Sequence, residues 1–170
     1  MLEERIANIT DLHFICSCIL YGARKGHYSI DVENQTIVKC MKKEIQSVIS
    51  NQKLLDNRQA KATIYLVDNI RVALVIISEA SPGDSCYELY AMSVIKNHQN
   101  KGYGAQILDS VLDRFLYLDF CARCLPASNR MSRLLIQRGF KFHSKDKDCM
   151  VMLRTAIDDP GLVEPVYMRY

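Results

Sequence analysis

The chain has 170 residues, 49% of them hydrophobic and 24% charged, with a formal net charge of +3. That is the size of one domain with a single sizeable core, and a charge so near balance gives no electrostatic footprint for nucleic acid. No apolar run approaches the roughly 18 residues that span a bilayer. The start "MLEERIANITD" lacks the basic-then-apolar order of a secretory leader, so a cytoplasmic protein without a membrane partner is expected. The cysteines number seven, an odd count that cannot all pair within the chain. Cys121 and Cys124 have the C-x-x-C spacing, but "LDFCARCLP" reads as a strand, in which positions i and i+3 point to opposite faces. With the histidines scattered as well, reduced and mostly buried thiols are expected, and no metal site.

An alternating stretch near residues 5–9 opens the chain. Thr10 is then read as the cap of a helix whose "DLHFICSCILYGA" puts Leu12, Ile15, Cys16, Ile19 and Leu20 on one face. After the loop "RKGHYSID", Ile37, Met41, Ile45, Val48 and Ile49 repeat at the spacing of a second amphipathic helix. "KATIYLV" and "IRVALVIISEA" read as strands joined by a tight turn at Asp68-Asn69, and Ser81-Pro82-Gly83-Asp84 separates them from a third, "CYELYAMSVI". Strands joined so closely imply an antiparallel meander.

From Tyr103 the residues Ala105, Ile107, Leu108, Val111, Leu112 and Phe115 form a helical stripe, and "YLDFCARCL" follows as a strand. Strand, helix and strand make a crossover that sets the two strands side by side. A helix over 129–138 stops at Gly139, and "FKFHS" with "CMVMLR" closes the chain as a hairpin. The final "DDPGLVEPVYMRY" carries prolines that bar a regular helix or central strand, so residues 155–170 are expected to form a tail on a domain of residues 1–154. The fold expected is a mixed α/β (α+β) domain: a central, mostly antiparallel twisted sheet flanked by about four helices.

The turn "KNHQNKGYG" carries the chemistry. A helix beginning there has a first turn of backbone N–H groups without intrahelical partners and the positive end of its dipole. Gly102 and Gly104 remove side chains that would keep an anion from that backbone, and Lys96 and Lys101 add charge. The turn lacks the Lys-Ser/Thr of a P-loop and the third Gly and downstream acid of a dinucleotide fingerprint.

Gln99-Asn100-Lys101-Gly102-Tyr103-Gly104 matches the Q/R-x-x-G-x-G/A signature of the GNAT superfamily of acyl-CoA-dependent N-acetyltransferases. The stretch "YELYAMSVIKNHQNKGYGAQILDSVLDRF" resembles that family's central strand, pyrophosphate loop and following helix, and "SNRMSRLLIQRGFKF" its later helix. The resemblance implies the GNAT fold with splayed central strands, acetyl-CoA as co-substrate and no metal. The acceptor it implies is a primary amine, on a small molecule or a protein, in a monomer or homodimer. The resemblance gives Gln99, Asn100, Lys101, Gly102, Tyr103, Gly104 and Ala105 to the pyrophosphate, and backbone groups of Met92, Ser93 and Val94 to pantetheine and the thioester carbonyl. Ser128 or Asn129 falls at the family's later asparagine. Glu88 falls where many members carry the carboxylate that takes the acceptor's proton. A plain period-2 strand puts it on one face with Tyr90 and Met92. Such a group is needed because an alkylammonium, with a pKa of about 10, cannot attack until its proton leaves.

The family's acid tyrosine is missing. Counting back from Gly139-Phe140 puts Leu135 at that position and Ser128 at the asparagine, whereas a shift of one residue puts Ile136 and Asn129 there. Water, Tyr90, Tyr167 or Tyr170 is left to protonate the leaving thiolate. The loop "GARKGHYSID" falls at the family's acceptor wall and offers Arg24, His27 and Tyr28. A non-catalytic acyl-CoA sensor and a purely structural glycine turn are the competing readings.

Overall fold

The computed structural model describes residues 1–156; the expected tail beyond them, with Tyr167 and Tyr170, lies outside the described residues. The order of elements is β1 (Leu2–Ile6), α1 (Leu12–Arg24), α2 (Gln35–Asn51), β2 (Ala60–Val67), β3 (Ile70–Glu79), β4 (Tyr87–Val94), α3 (Tyr103–Arg114), β5 (Phe120–Cys124), α4 (Asn129–Ile136), β6 (Lys141–Asp146) and β7 (Cys149–Arg154). Seven strands form one sheet in the order β1-β2-β3-β4-β5-β7-β6. Every neighbouring pair is antiparallel except β4 with β5. The α/β fold class expected from the sequence is the one observed.

Both faces of the sheet are covered. On one, Ile15 and Ile19 of α1 and Met41, Ile45 and Val48 of α2 pack on Ile64, Leu74 and Ile76. On the other, Ile107, Leu108, Val111 and Leu112 of α3 and Leu135 of α4 pack on Val75, Ile77, Leu89 and Phe120. Burial on both sides explains why β3 reads as a continuous apolar run, "VALVII", and not as an alternation. The hairpin between β2 and β3 turns at Asp68 and Asn69, with φ of 50° and 62°, the left-handed pair that a two-residue type I′ turn needs.

The start of α1 differs from the expectation. The capping residue is Asn8, whose Oδ1 accepts from the Thr10 amide at 2.9 Å, while the Asp11 carboxylate accepts from the Asn8 amide at 2.9 Å. A single 3₁₀ turn, Ile9–Asp11, precedes the α-helix and moves the cap two residues ahead of Thr10. Asp11 is fully buried and takes Arg5 of β1 at 2.6 Å and Arg71 of β3 at 3.2 Å, which pins the helix entry to the sheet.

The second difference governs the site. Ile76 pairs with Ala91 and Ile77 with Leu89, so Tyr90 is an extra residue in β4, a β-bulge. The simple alternation that put Glu88, Tyr90 and Met92 on one face is therefore broken. Tyr90 and Ala91 both belong to the α1/α2 side, and Met92 and Val94 join Tyr87 and Leu89 on the α3 side.

The hydrogen bond from Arg5 holds the Asp11 carboxyl below its usual range, with the Asn8 amide and Arg71 acting in the same direction and burial opposing them. A depressed carboxylate pKa contributes stability that is fully present above the unfolded value of about 3.9 and is lost as pH falls through the folded value. Asp11→Asn is expected to cost about 1.5–3 kcal/mol in urea denaturation at pH 7, the range for hydrogen bonds to charged groups. That cost should shrink towards zero as the titration is repeated at pH values falling below 3.9.

Candidate active site cleft

Strand β4 runs beside β5 for three pairs only, Tyr87 with Phe120, Glu88 with Cys121 and Leu89 with Ala122. Beyond them β5 continues to pair with β7 through Cys124, while β4 continues along β3 through Val94, so the two strands part at the bulge. The gap exposes backbone. The Ile95 amide donates to Val72 O on β3 at 2.9 Å, and in an antiparallel ladder alternate residues point to the same neighbour. Ser93 therefore gives its backbone to β3, and Met92 and Val94 turn theirs to the gap. Their carbonyls are already taken: Met92 O accepts from the Tyr28 hydroxyl and Val94 O from Gln99 Nε2, each at 2.8 Å. What remains for a ligand along this edge is the pair of N–H groups.

Tyr28 reaches Met92 because α1 has a glycine where its ring packs. A Cβ on Gly22 would stand 2.5 Å from Tyr28 Cε2. Burial pushes the Tyr28 hydroxyl well above the usual range. It stays a neutral donor.

At the far end of the gap, Lys96–His98 makes a 3₁₀ turn, and the loop then enters α3 through Asn100 and Gly102 with φ of 62° and 83°. Gly102 is the residue immediately before the helix, and a side chain there would be forced into the left-handed region. The amides that open α3 consequently face the cleft with no side-chain cap across them. Arg130 of α4 ties the loop across the opening, donating through Nη1 to Asn100 Oδ1 at 2.6 Å.

The cleft occupies about 540 Å³, the size of a small-molecule site. Of the residues expected at the nucleotide-binding end, Met92, Ser93, Val94, Gln99, Asn100, Gly102, Gly104, Ala105 and Ser128 border it; Lys101, Tyr103 and Asn129 do not. From α4 and the residue that precedes it come Arg130, Met131, Leu134 and Ser128. Three positions of the first α4 register, Ser128, Met131 and Leu134, thus face the cleft, while its tyrosine position, Leu135, is fully buried in the core and Ile136 is exposed. From the first helix and its loop, His27 and Tyr28 border the cleft and Arg24 does not. His27 Nδ1 lies 3.2 Å from Ser128 Oγ, joining the loop to α4.

Tyr90 borders the cleft and donates its hydroxyl to Glu44 of α2 at 2.8 Å; burial and that carboxylate push its pKa up. Glu88 does not border the cleft. Its Oε2 accepts from Arg58 Nη1 at 3.0 Å and its Oε1 from Arg123 Nη1 at 2.8 Å, with 4% of the side chain exposed. Arg58 also lies over the Tyr90 ring, 5.8 Å from its centroid. Arg58 and Arg123 were not legible as site residues, since they meet Glu88 from 30 and 35 positions away, and Lys25 and Arg130 lie within stretches singled out above without being marked by their local pattern. Among the described residues no cluster of three or more His, Cys, Asp or Glu could hold a metal ion, and no helix is long and apolar enough to cross a membrane.

No protein-family profile and no curated protein matches the chain by sequence. Its structure is similar to solved acetyltransferases. PaiA N-acetyltransferase from Thermoplasma acidophilum, solved with coenzyme A, superposes with a TM-score of 0.65 at 13% identity over 91% of this chain and 99% of that one. A GNAT-family acetyltransferase from Streptococcus pneumoniae gives 0.65 at 14% over 91% and 99%. Spermidine N-acetyltransferase from Vibrio cholerae, solved with CoA and spermine, gives 0.65 at 15% over 89% and 92%. The chain has the GNAT fold.

Tyr28→Phe leaves Met92 O without its donor beside an open cleft. It is expected to cost about 1 kcal/mol, at the low end for a lost partner because water can enter, measured by denaturant unfolding.

Proposed function

We propose that this chain is a GNAT-superfamily enzyme that binds acetyl-CoA in the cleft and transfers its acetyl group to an amine, with residues 1–154 as the catalytic domain. The observation that carries the reading is that one cleft joins the parted edge of β4 to the uncapped first turn of α3. The first arrangement suits an amide-bearing arm laid along a strand and the second suits a pyrophosphate, and the two lie in line.

When bound, acetyl-CoA supplies a thioester: the amine nitrogen bonds to the acetyl carbon as the C–S bond breaks, the amine releases a proton and the thiolate takes one up. The amides at the start of α3, from Tyr103 to Ala105, with Gly102, Asn100, Gln99 and the exposed Lys101, hold the phosphates. The N–H groups of Met92 and Val94 hold the arm and face the acetyl oxygen as it gains charge, oriented before the reaction begins. Tyr28, fixed on Met92 O, keeps that edge rigid. Ser128 and Met131 close the α4 side. His27 lies on the acceptor side of the loop, within reach of water in the open cleft.

The thiolate, with an ordinary pKa of about 8.5, is a tolerable leaving group, so protonation by cleft water is sufficient. The buried, hydroxyl-free Leu135 also favours a second reading, a protein that binds acyl-CoA without turnover. Amine-dependent release of free CoA separates the two.

Calorimetric titration with acetyl-CoA tests the site itself. No positive φ bars a side chain at Gly104, and a Cβ there would lie 3.9 Å from Val94 Cγ2 and 4.0 Å from Met92 Cε, so the first carbon of Gly104→Val fits without a clash. The variant should lose tenfold or more in acetyl-CoA affinity with little change in melting temperature. Equal binding by parent and variant would remove the turn from the phosphate site, and a well-folded parent that does not bind would end the reading.

A further inference from the structure

The charged side chains that border the cleft are Lys25, Arg123 and Arg130, joined by His27; no Asp or Glu of the described residues borders it. Arg130 belongs to the phosphate end through its bond to Asn100. Arg123 stands at the other end. It is bonded to Glu88, which precedes Val94 by six positions on β4, or roughly 17–20 Å at the rise of a bulged strand.

The Arg123 side chain is 45% exposed, and its one hydrogen bond to the described residues is from Nη1 to Glu88. The rest of its fork has no partner among the described residues, and the residue borders the cleft. Glu88 is itself fixed from beneath by Arg58, which also bonds the carbonyls of Glu79 and Ala80. A buried carboxylate held on both oxygens and absent from the cleft lining is well placed to orient a guanidinium and poorly placed to meet an ammonium. A polyamine or aminosugar entering this end would meet cations and no carboxylate.

We propose that Arg123 receives a carboxylate of the acceptor, which makes the acceptor an amine of the amino acid class, and that Glu88 is the residue that positions Arg123. This rests on the acetyl-transfer reading above. The planar fork of an arginine matches a carboxylate with two parallel hydrogen bonds, which would set the amine's direction as well as its affinity.

The test uses the full chain and follows free thiol released from acetyl-CoA in the presence of the standard amino acids, their carboxamides, and spermidine. Turnover is expected with at least one amino acid, with kcat/KM lower by tenfold or more for its carboxamide and no comparable rate with spermidine. Arg123→Gln should raise KM for that amino acid by ~10-fold or more, the scale of one charge-assisted contact, with a smaller change in kcat. Arg123→Lys, which keeps the charge and loses the fork, should fall between. Glu88→Gln should also raise KM and leave the rise of rate with pH unaltered. Acetyl-CoA affinity, measured by calorimetry, should be unchanged in each variant and so reports that it is folded.

A carboxamide or spermidine used as well as the amino acid overturns the proposal, and so does an unchanged KM in Arg123→Gln. A flattened pH–rate rise in Glu88→Gln would make Glu88 the base and overturn its positioning role. Acetyl-CoA binding without turnover of any amino acid overturns the acceptor class and leaves the CoA site standing. A parent protein that does not bind acetyl-CoA removes the underlying reading instead.

Discussion

One extra residue in β4 sets the geometry of the cleft. Tyr90 has no partner of its own on β3, so the strand kinks there and leaves β5 after three pairs. A parallel neighbour that continued to Val94 would have used the N–H groups of Met92 and Val94 in the ladder and left no slot between the strands. The bulge also exchanges faces, turning Met92 and Val94 towards α3, where they pack against the core below the glycine turn. The gap, the free amides and the apolar floor thus share one cause.

The interactions around the bulge hold this irregular backbone in place. Tyr28 and Gln99 satisfy the two carbonyls that the missing ladder would have taken. Arg58 reaches the carbonyls of Glu79 and Ala80 at the end of β3 as well as Glu88. Glu88 would be costly alone at its depth, but each of its oxygens has a guanidinium, and one of these reaches out to solvent. Buried charge is used here to fix the direction of an exposed one.

What the sequence made legible were the local features. The Asp68-Asn69 turn, the α3 stripe and the glycines at 102 and 104 each declare themselves within a few residues, because period, left-handed angles and helix starts are short-range properties. The run β2-β3-β4 followed from the meander and its junction with β5 from the crossover, whereas the pairing of β1 with β2 and of β7 with β5 depends on long-range contacts that no local pattern declares. The bulge was not legible, since "YELYAMSV" alternates acceptably with or without an extra residue. Nor was the glutamate's environment, which depends on arginines from the loop before β2 and from β5. The two registers of α4 are equal in sequence, and only packing decides that Ser128, Met131 and Leu134 face the cleft while Leu135 enters the core.

The open sheet ends in β1 and β6, whose sequences are "LEERI" and "KFHSKD". Every residue of β6 is exposed, yet lysines at 141 and 145 and an aspartate at 146 stand along it, and β1 carries two glutamates and an arginine in five residues. Another chain adding a strand at either margin would have to strip water from those charges before gaining backbone hydrogen bonds. A sheet that must stay parted in its middle to hold a ligand is therefore guarded at its margins against pairing with its own kind.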